Sequence, residues 1–320
     1  RRDFYMTLHP GAKWVVEAAA AALEMGQTPI EEKSAEEARA FYNDSRAALT
    51  PDLPEVGLVE DFEIPGPLGD IAVRYYRPLG SSADDVLPLC LFYHGGGWVI
   101  GDLNSHDYVC RRMANTGGFA IVSVDYRMGP EHVFPAAVND CYTALKWAAA
   151  GAGGRTIDPQ RLAVAGDSAG GNLSIVTTIL ARDTDGPHIR FQGLIYPATD
   201  MNMVTRSHVD FAEGHILTHK SMVWFQEQYL SSPEDREDWQ ASPIKAKDLR
   251  GLPPAIVITA GHDPLKDEGK AYADRLSDAG VDVSFKCYEG QIHGFVTMAK
   301  VIDESDVAID QIANAIKAAV

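Results

Sequence analysis

Two stretches, LPLCLFY at 87–93 and FAIVSV at 119–124, are almost unbroken apolar runs, and they restrict the fold more than any other feature of this chain. A strand with one face in water alternates apolar and polar residues, whereas a strand covered on both faces has no reason to. Runs of this kind therefore predict central strands of a parallel sheet. Between them, 106–115 has helical spacing, and 136–150 is a second strong helix. Residues 161–165, 191–196, 255–259 and 281–287 read as further strands, most of them separated by helical segments. Ahead of all these, 56–64 and 71–76 flank the turn Pro65-Gly66-Pro67-Leu68-Gly69 and predict an antiparallel hairpin. Eight strands in such alternation specify an α/β sheet joined by right-handed crossovers.

Two regions break the pattern. Residues 13–48 are rich in Ala and Glu at helical spacing and are interrupted by Gly26-Gln27-Thr28-Pro29, which predicts two helices before the first strand. Residues 200–250 place Met222, Trp224, Phe225, Tyr229 and Leu230 at helical spacing without a strand, followed by the charged run 234–238. This stretch reads as an insertion lying over the sheet, with the charged run as a solvated loop. A chain of 320 residues is long enough for one large domain carrying such an insertion.

Charge narrows the partners. Lys and Arg total 28 against 45 Asp and Glu, a net charge of −17, so nucleic acid and anionic membrane surfaces would be repelled. No stretch reaches the ~18 apolar residues of a membrane-crossing helix, and residues 1–10 show no signal-peptide core. Cys90, Cys110, Cys141 and Cys287 have no CxxC spacing and sit in or beside apolar runs, as structural thiols do. A cytoplasmic protein without stable membrane association is the expectation.

The chemistry is concentrated in GDSAGG at 166–171, where a strand pattern gives way to a helical one. Gly-x-Ser-x-Gly at such a junction puts the serine on a strained turn at the carboxyl end of the sheet, with Oγ exposed at a helix amino terminus. Taken alone, the stretch also fits an ordinary serine N-cap. A phosphate loop fits poorly, because no Gly-Lys-Ser/Thr or GxGxxG accompanies it. Directly after the strand at 87–93 comes HGGGW, 94–98. Three consecutive glycines weaken any regular element, so they read as backbone N–H groups arranged around a developing oxyanion, together with the N–H of Ala169 after the serine. A flexible turn is the plainer alternative.

The remaining members of a triad built on such a serine turn must follow it in the order acid, then base. Asp263 lies just past the strand at 255–259, and His293 just past the strand at 281–287, both on the edge where Ser168 emerges. His262 is read as a loop residue diverging from its neighbour, and His94 and His132 as fasteners of their loops. His9, His106, His188, His208, His215 and His219 are expected in surface or capping roles. Among acids, Asp267 is read as positioning the chain, while Asp125, Asp140, Asp200 and Asp210 precede the proper strand.

These motifs resemble the hormone-sensitive lipase family of α/β-hydrolases, the bacterial family IV esterases, in its GDSAGG branch. The likeness runs almost from the first strand to the end: HGGGW, DYR at 125–127, PEHVFPAAVND at 130–140, GDSAGGNL at 166–173, SPI at 242–244, GLPPA at 251–255, DPLKDEG at 263–269 and HGF at 293–295. It departs at Met128-Gly129, where Leu-Ala is usual, at Val133, where Pro is common, and at Lys266, where Arg is common. The resemblance implies an α/β-hydrolase fold: a mostly parallel eight-stranded sheet with helices on both faces and a helical cap. The cap would combine residues 1–50 with the insertion 200–250, and the core would comprise 51–199 and 251–320.

It further implies a serine carboxylesterase acting on short- to medium-chain acyl esters without cofactor or metal. Ser168 would be the nucleophile, His293 the general base and Asp263 its orienting carboxylate, with Gly95, Gly96 and Ala169 supplying the oxyanion-hole N–H groups. An amidase or lactonase would use the same triad, so ester against amide stays open. A ligand receptor on this fold is a more distant alternative, since such receptors lack the histidine that stands here at 293. Trp98, Trp224, Phe225 and Met203 are candidates either to line the pocket or to pack the insertion. Relatives often pair through the eighth strand or last helix, here 281–287 and 306–320, so a homodimer is one expectation; packing of that helix on its own sheet explains the same apolar positions.

Overall fold

The more restrictive of the two apolar runs forms β3 (Leu87–Tyr93), an interior strand of an eight-stranded sheet. The structure, a computed structural model, describes residues 8–320; the first seven residues of the expected amino-terminal segment lie outside them. The other strands are β1 (Leu58–Ile64), β2 (Ile71–Arg77), β4 (Ala120–Asp125), β5 (Ile157–Asp167), β6 (Ile189–Ile195), β7 (Ala255–His262) and β8 (Val283–Ile292). Their spatial order is β1-β2-β4-β3-β5-β6-β7-β8. The first two form the expected hairpin, with Ile64 opposite Ile71, and β2 also runs antiparallel to β4; all other pairs are parallel.

Ahead of the sheet lie α1 (Pro10–Glu24) and α2 (Ala35–Leu49). The second begins with a reciprocal capping box: Ser34 Oγ accepts the Glu37 N–H at 3.2 Å, and Glu37 Oε2 accepts the Ser34 N–H at 2.9 Å. The crossovers are carried by α3 (Asp107–Gly117), α4 (Ala136–Ala149), α5 (Ala169–Asp183) and, after the insertion, α8 (Lys266–Asp278). Within the insertion lie α6 (Arg206–Asp210) and α7 (His219–Tyr229), and α9 (Glu304–Ala319) closes the chain. The charged run at 234–238 is a short 3-10 turn, not an open loop, because Ser232 and Asp235 cap each other across it.

The two-residue period of each strand divides the core. Cys90 and Phe92 of β3 face α3 and α9, while Leu89, Leu91 and Tyr93 face α4 and α5. All five are fully buried, which is why the run carries no polar residue.

Three strand ends depart furthest from expectation. β5 begins four residues earlier than the apolar run, through the polar Asp158-Pro159-Gln160, where its pairing with β3 shifts register. β8 continues to Ile292 because it is the edge strand, with one face exposed and its apolar residues diluted by Lys286 and Glu289. His262, expected in a loop, is the last residue of β7 and pairs with Ile292.

Candidate active site

The carboxyl ends of β5, β7 and β8 bring three side chains together. Ser168 follows β5 with φ 55° and ψ −116°, a conformation that costs a non-glycine residue roughly 1–3 kcal/mol and persists only where its surroundings impose it. What imposes it is close packing under the turn. A Cβ on Gly170 would overlap the Tyr93 carbonyl oxygen of β3, so the helix can start this near the sheet only with glycine there. Ser168 caps α5 by position, but its hydroxyl takes no N–H of that helix. It lies instead 2.9 Å from His293 Nε2, which removes the N-cap reading.

On the far side of the imidazole, Nδ1 is 2.7 Å from Asp263 Oδ2. Asp263 is completely buried, and its other oxygen accepts the Leu265 N–H at 2.8 Å, which fixes the carboxylate plane. The His293 ring also rests against Tyr196 with centroids 4.6 Å apart. Asp263 and His293 are 30 residues apart and His293 and Ser168 125 apart, and they meet because each leaves the same edge of the sheet.

The glycine loop requires a correction. The N–H of Gly95 donates to Asp167 Oδ1 at 2.8 Å, both groups being buried, so it is not free to meet an oxyanion. Gly96 and Gly97, by contrast, line the cavity that holds Ser168, and the N–H groups of Gly96, Gly97 and Ala169 meet no acceptor among the described residues. Gly96 has φ 130°, a backbone setting open to glycine, and a Cβ there would run into the Ile100 carbonyl. The backbone N–H groups left without an acceptor beside the serine are therefore those of Gly96, Gly97 and Ala169, one glycine further along than the expected Gly95 and Gly96.

Asp167 explains the shift. It is 3% exposed, and besides Gly95 it meets His106 Nε2 at 3.0 Å and the Tyr196 hydroxyl at 3.4 Å. Burial pushes its acidity toward the neutral form, but the neighbouring His106 ring and the Gly95 N–H outweigh this and hold its pKa below the usual carboxylate range. His106, expected in a surface or capping role, stands at the N-cap position of α3 but is fully buried and makes no side-chain capping bond. His94 fastens its loop as expected: Nδ1 donates to the Gly95 carbonyl at 2.8 Å and the ring stacks on Tyr126 at 4.4 Å. Burial lowers its pKa to about 4, so it is neutral near pH 7.

His208 is also buried rather than exposed, with Nε2 2.6 Å from Glu268 Oε2. Glu268 receives the Thr199 and Asp200 N–H groups as well, and so ties the insertion to α8. Asp267 accepts the Ser207 N–H at 2.9 Å. Of the apolar candidates, Trp98, Met203 and Phe225 line the cavity, whereas Trp224 packs on Phe225 at 5.2 Å. The cavity measures about 500 Å³ and is walled by α1, α2, the glycine loop and the insertion.

The four cysteines are free, and burial raises the pKa of each thiol. Among the described residues, no group of three His, Cys, Asp or Glu side chains is arranged to hold a metal ion, and no helix is long and apolar enough to cross a membrane.

Comparison with known proteins agrees with this geometry. Residues 90–297 match the model of the α/β-hydrolase-fold family. The chain is 44% identical over 266 residues to a carboxylic ester hydrolase, LipN, of Mycobacterium tuberculosis, covering 81% of this chain and 70% of that protein. It is 33% identical over 315 residues to an ethyl acetate hydrolase of Pseudomonas putida, covering 98% and 99%. Among solved structures, an ester hydrolase from the Lake Arreo metagenome superposes with a TM-score of 0.94 at 40% identity, covering 97% of this chain and 98% of that one.

Proposed function

The chain belongs to the α/β-hydrolase-fold family, in its hormone-sensitive-lipase-like branch, and is a carboxylic ester hydrolase; from that premise we propose that it cleaves short- to medium-chain acyl esters through an acyl-enzyme on Ser168. The observation that carries the proposal is the unbroken relay from Ser168 Oγ through His293 to Asp263, at 2.9 and 2.7 Å. His293 Nε2 takes the serine proton as Oγ attacks the ester carbonyl. Asp263 holds the proton on Nδ1, which leaves Nε2 free as the base, and stabilises the imidazolium that results. The tetrahedral oxyanion then faces the N–H groups of Gly96, Gly97 and Ala169, each worth on the order of 3 kcal/mol in the transition state. His293 returns the proton to the departing alcohol, and water repeats the sequence to free the acid.

The same proposal assigns α1, α2 and the insertion at 200–250 to a cap. They wall the cavity above the serine, and its limited volume supports short acyl chains. The ethyl acetate hydrolase relative favours the same end of the range. Turnover of p-nitrophenyl butyrate tests the reading: Ser168→Ala is expected to lower kcat by roughly 10⁶-fold, and near-parental activity would overturn it. An organophosphate should label the Ser168 peptide and no other. In a nitrophenyl ester series, a maximum at long chains with activation at an oil interface would replace the esterase with a lipase.

A further inference from the structure

Arg46 is the charged group that the chemistry above leaves unused. It lies on α2, is only 8% exposed, and lines the same cavity as Ser168 and His293. Its Nη2 is 3.5 Å from the position a Cβ on Gly294 would occupy, which sets the guanidinium beside the residue that follows His293. A guanidinium does not give up its proton in a protein, so a full positive charge is fixed in the wall of a largely apolar cavity.

Such a charge ordinarily has partners. Arg77, the other deeply buried arginine, is held by the carbonyl oxygens of Ser82, Asp85 and Thr156 and by the Tyr75 hydroxyl. Arg46 is different. Among the described residues no carboxylate stands at ion-pair distance from it, its Nη groups meet none of the carbonyl oxygens that hold Arg77, and its Nε, like that of Arg77, has no hydrogen-bond partner. The Tyr42 ring, 4.8 Å from Cζ, shields one face. An unpaired buried charge is costly, and a carboxylate repairs it better than any neutral group because the planar fork offers two parallel charge-assisted hydrogen bonds. The net charge of −17 does not itself attract anions, so a cation kept inside the site has its use there, once the substrate has entered.

We propose that Arg46 is a substrate-recognition residue, and that this esterase is selective for esters carrying a free carboxylate on either the alcohol or the acyl portion. The inference rests on the esterase reading above.

Matched pairs of equal shape, measured by acid release, test it. On the alcohol side, 2-acetoxypropanoate is compared with 2-acetoxypropanamide, and on the acyl side monomethyl succinate with methyl succinamate. In at least one pair the anionic member should have a kcat/KM about tenfold or more above its neutral partner, and the pair that shows this locates the carboxylate. Arg46→Met should reduce that ratio about tenfold, chiefly through KM, and Arg46→Lys should restore part of it. If the parental enzyme hydrolyses no member of either pair and no p-nitrophenyl butyrate, the esterase reading itself fails. If it hydrolyses them but shows no anionic preference, or if Arg46→Met slows both members of a pair equally, the recognition role is overturned. Should the variants not fold, inhibition of the parental enzyme decides: propanoate should inhibit p-nitrophenyl butyrate turnover at about tenfold lower concentration than propanamide, and equal inhibition overturns the proposal.

Discussion

Replacing Asp263 by Asn changes a single atom, and its effect can be worked out from two contacts. The Leu265 N–H donates to Oδ1 at 2.8 Å, so the asparagine oxygen must stay on that side to keep the bond. That leaves the amide NH₂ facing His293 Nδ1, where Oδ2 now lies at 2.7 Å. An NH₂ can only donate, so Nδ1 becomes the acceptor and the ring proton moves to Nε2, 2.9 Å from Ser168 Oγ. The base is then protonated where it should be empty. Rescuing the correct tautomer requires either that two donors face each other, the new amide and the His293 ring, or that the Leu265 bond break, in a site with no exposure at residue 263. The expected result is a fall in kcat of about 10⁴-fold, or ~5 kcal/mol, with little change in KM, because substrate binding uses other groups. Single-turnover release of p-nitrophenol from the butyrate ester measures it directly, with circular dichroism confirming the fold. A variant that keeps kcat within about tenfold of the parent would refute the tautomer argument and with it the role of Asp263.

Other consequences can be measured separately. A structure with a phosphonate bound to Ser168 should place the phosphonyl oxygen within about 3 Å of the nitrogens of Gly96, Gly97 and Ala169; an oxygen bound by Gly95 instead would restore that glycine to the donor set. Arg39 clasps Glu131 with 2.8 and 2.6 Å hydrogen bonds and donates to the Val99 and Gly129 carbonyls, tying α2 to the glycine loop, so Arg39→Met should lower stability by ~1–2 kcal/mol; an unchanged urea midpoint argues against the tether. The Arg39 hydrogen bond pulls Glu131 down to about 2, so this stabilisation is present above the ordinary carboxyl range and is lost as pH falls through it; the gap between parent and variant should close between about pH 5 and pH 2. Gly170→Ala drives a methyl into the Tyr93 carbonyl and should yield insoluble protein or a loss above ~3 kcal/mol; wild-type stability would show that the elbow has slack.

The triad is legible in the sequence because its signals are local. Each residue sits in its own short motif at the end of an apolar run, and chain order distinguishes acid from base. The exposed hairpin and the buried central strands are legible for the same reason: periodicity reports burial directly. What stays hidden depends on strand order. β3 and β5 are neighbours in the sheet although β4 lies between them in the chain, and this puts HGGGW beside Asp167, 72 residues away. No window of sequence contains that contact, so in sequence Gly95 reads as a free donor. His106 and His208 read as surface or capping residues because a polar residue in a helical segment usually is one; their carboxylate partners, Asp167 and Glu268, come from other elements of the fold. A signal is present all the same. An acid at the buried end of a strand, as in GDSAGG, must find donors, and the only donor-rich loop expected at that edge is the glycine run.

Asp167 therefore does for the oxyanion loop what Asp263 does for the histidine. By accepting the Gly95 N–H it anchors the loop beside the nucleophile, and the next two glycines line the cavity with N–H groups that meet no acceptor among the described residues. His106 Nε2 lies 3.0 Å from the carboxylate, and Tyr196 reaches it from the wall against which the His293 ring rests. A single buried carboxylate adjacent in sequence to Ser168 thus contacts both the glycine loop and the tyrosine against which the His293 ring rests. An isosteric Asp167→Asn can keep an oxygen at Oδ1, where Gly95 and His106 both meet the carboxylate, but it loses the negative charge and the second acceptor facing the Tyr196 hydroxyl, so the Gly95 anchor falls from a charge-assisted hydrogen bond to a neutral one. Its damage should appear in kcat rather than KM, since what it displaces are donors that act on the transition state.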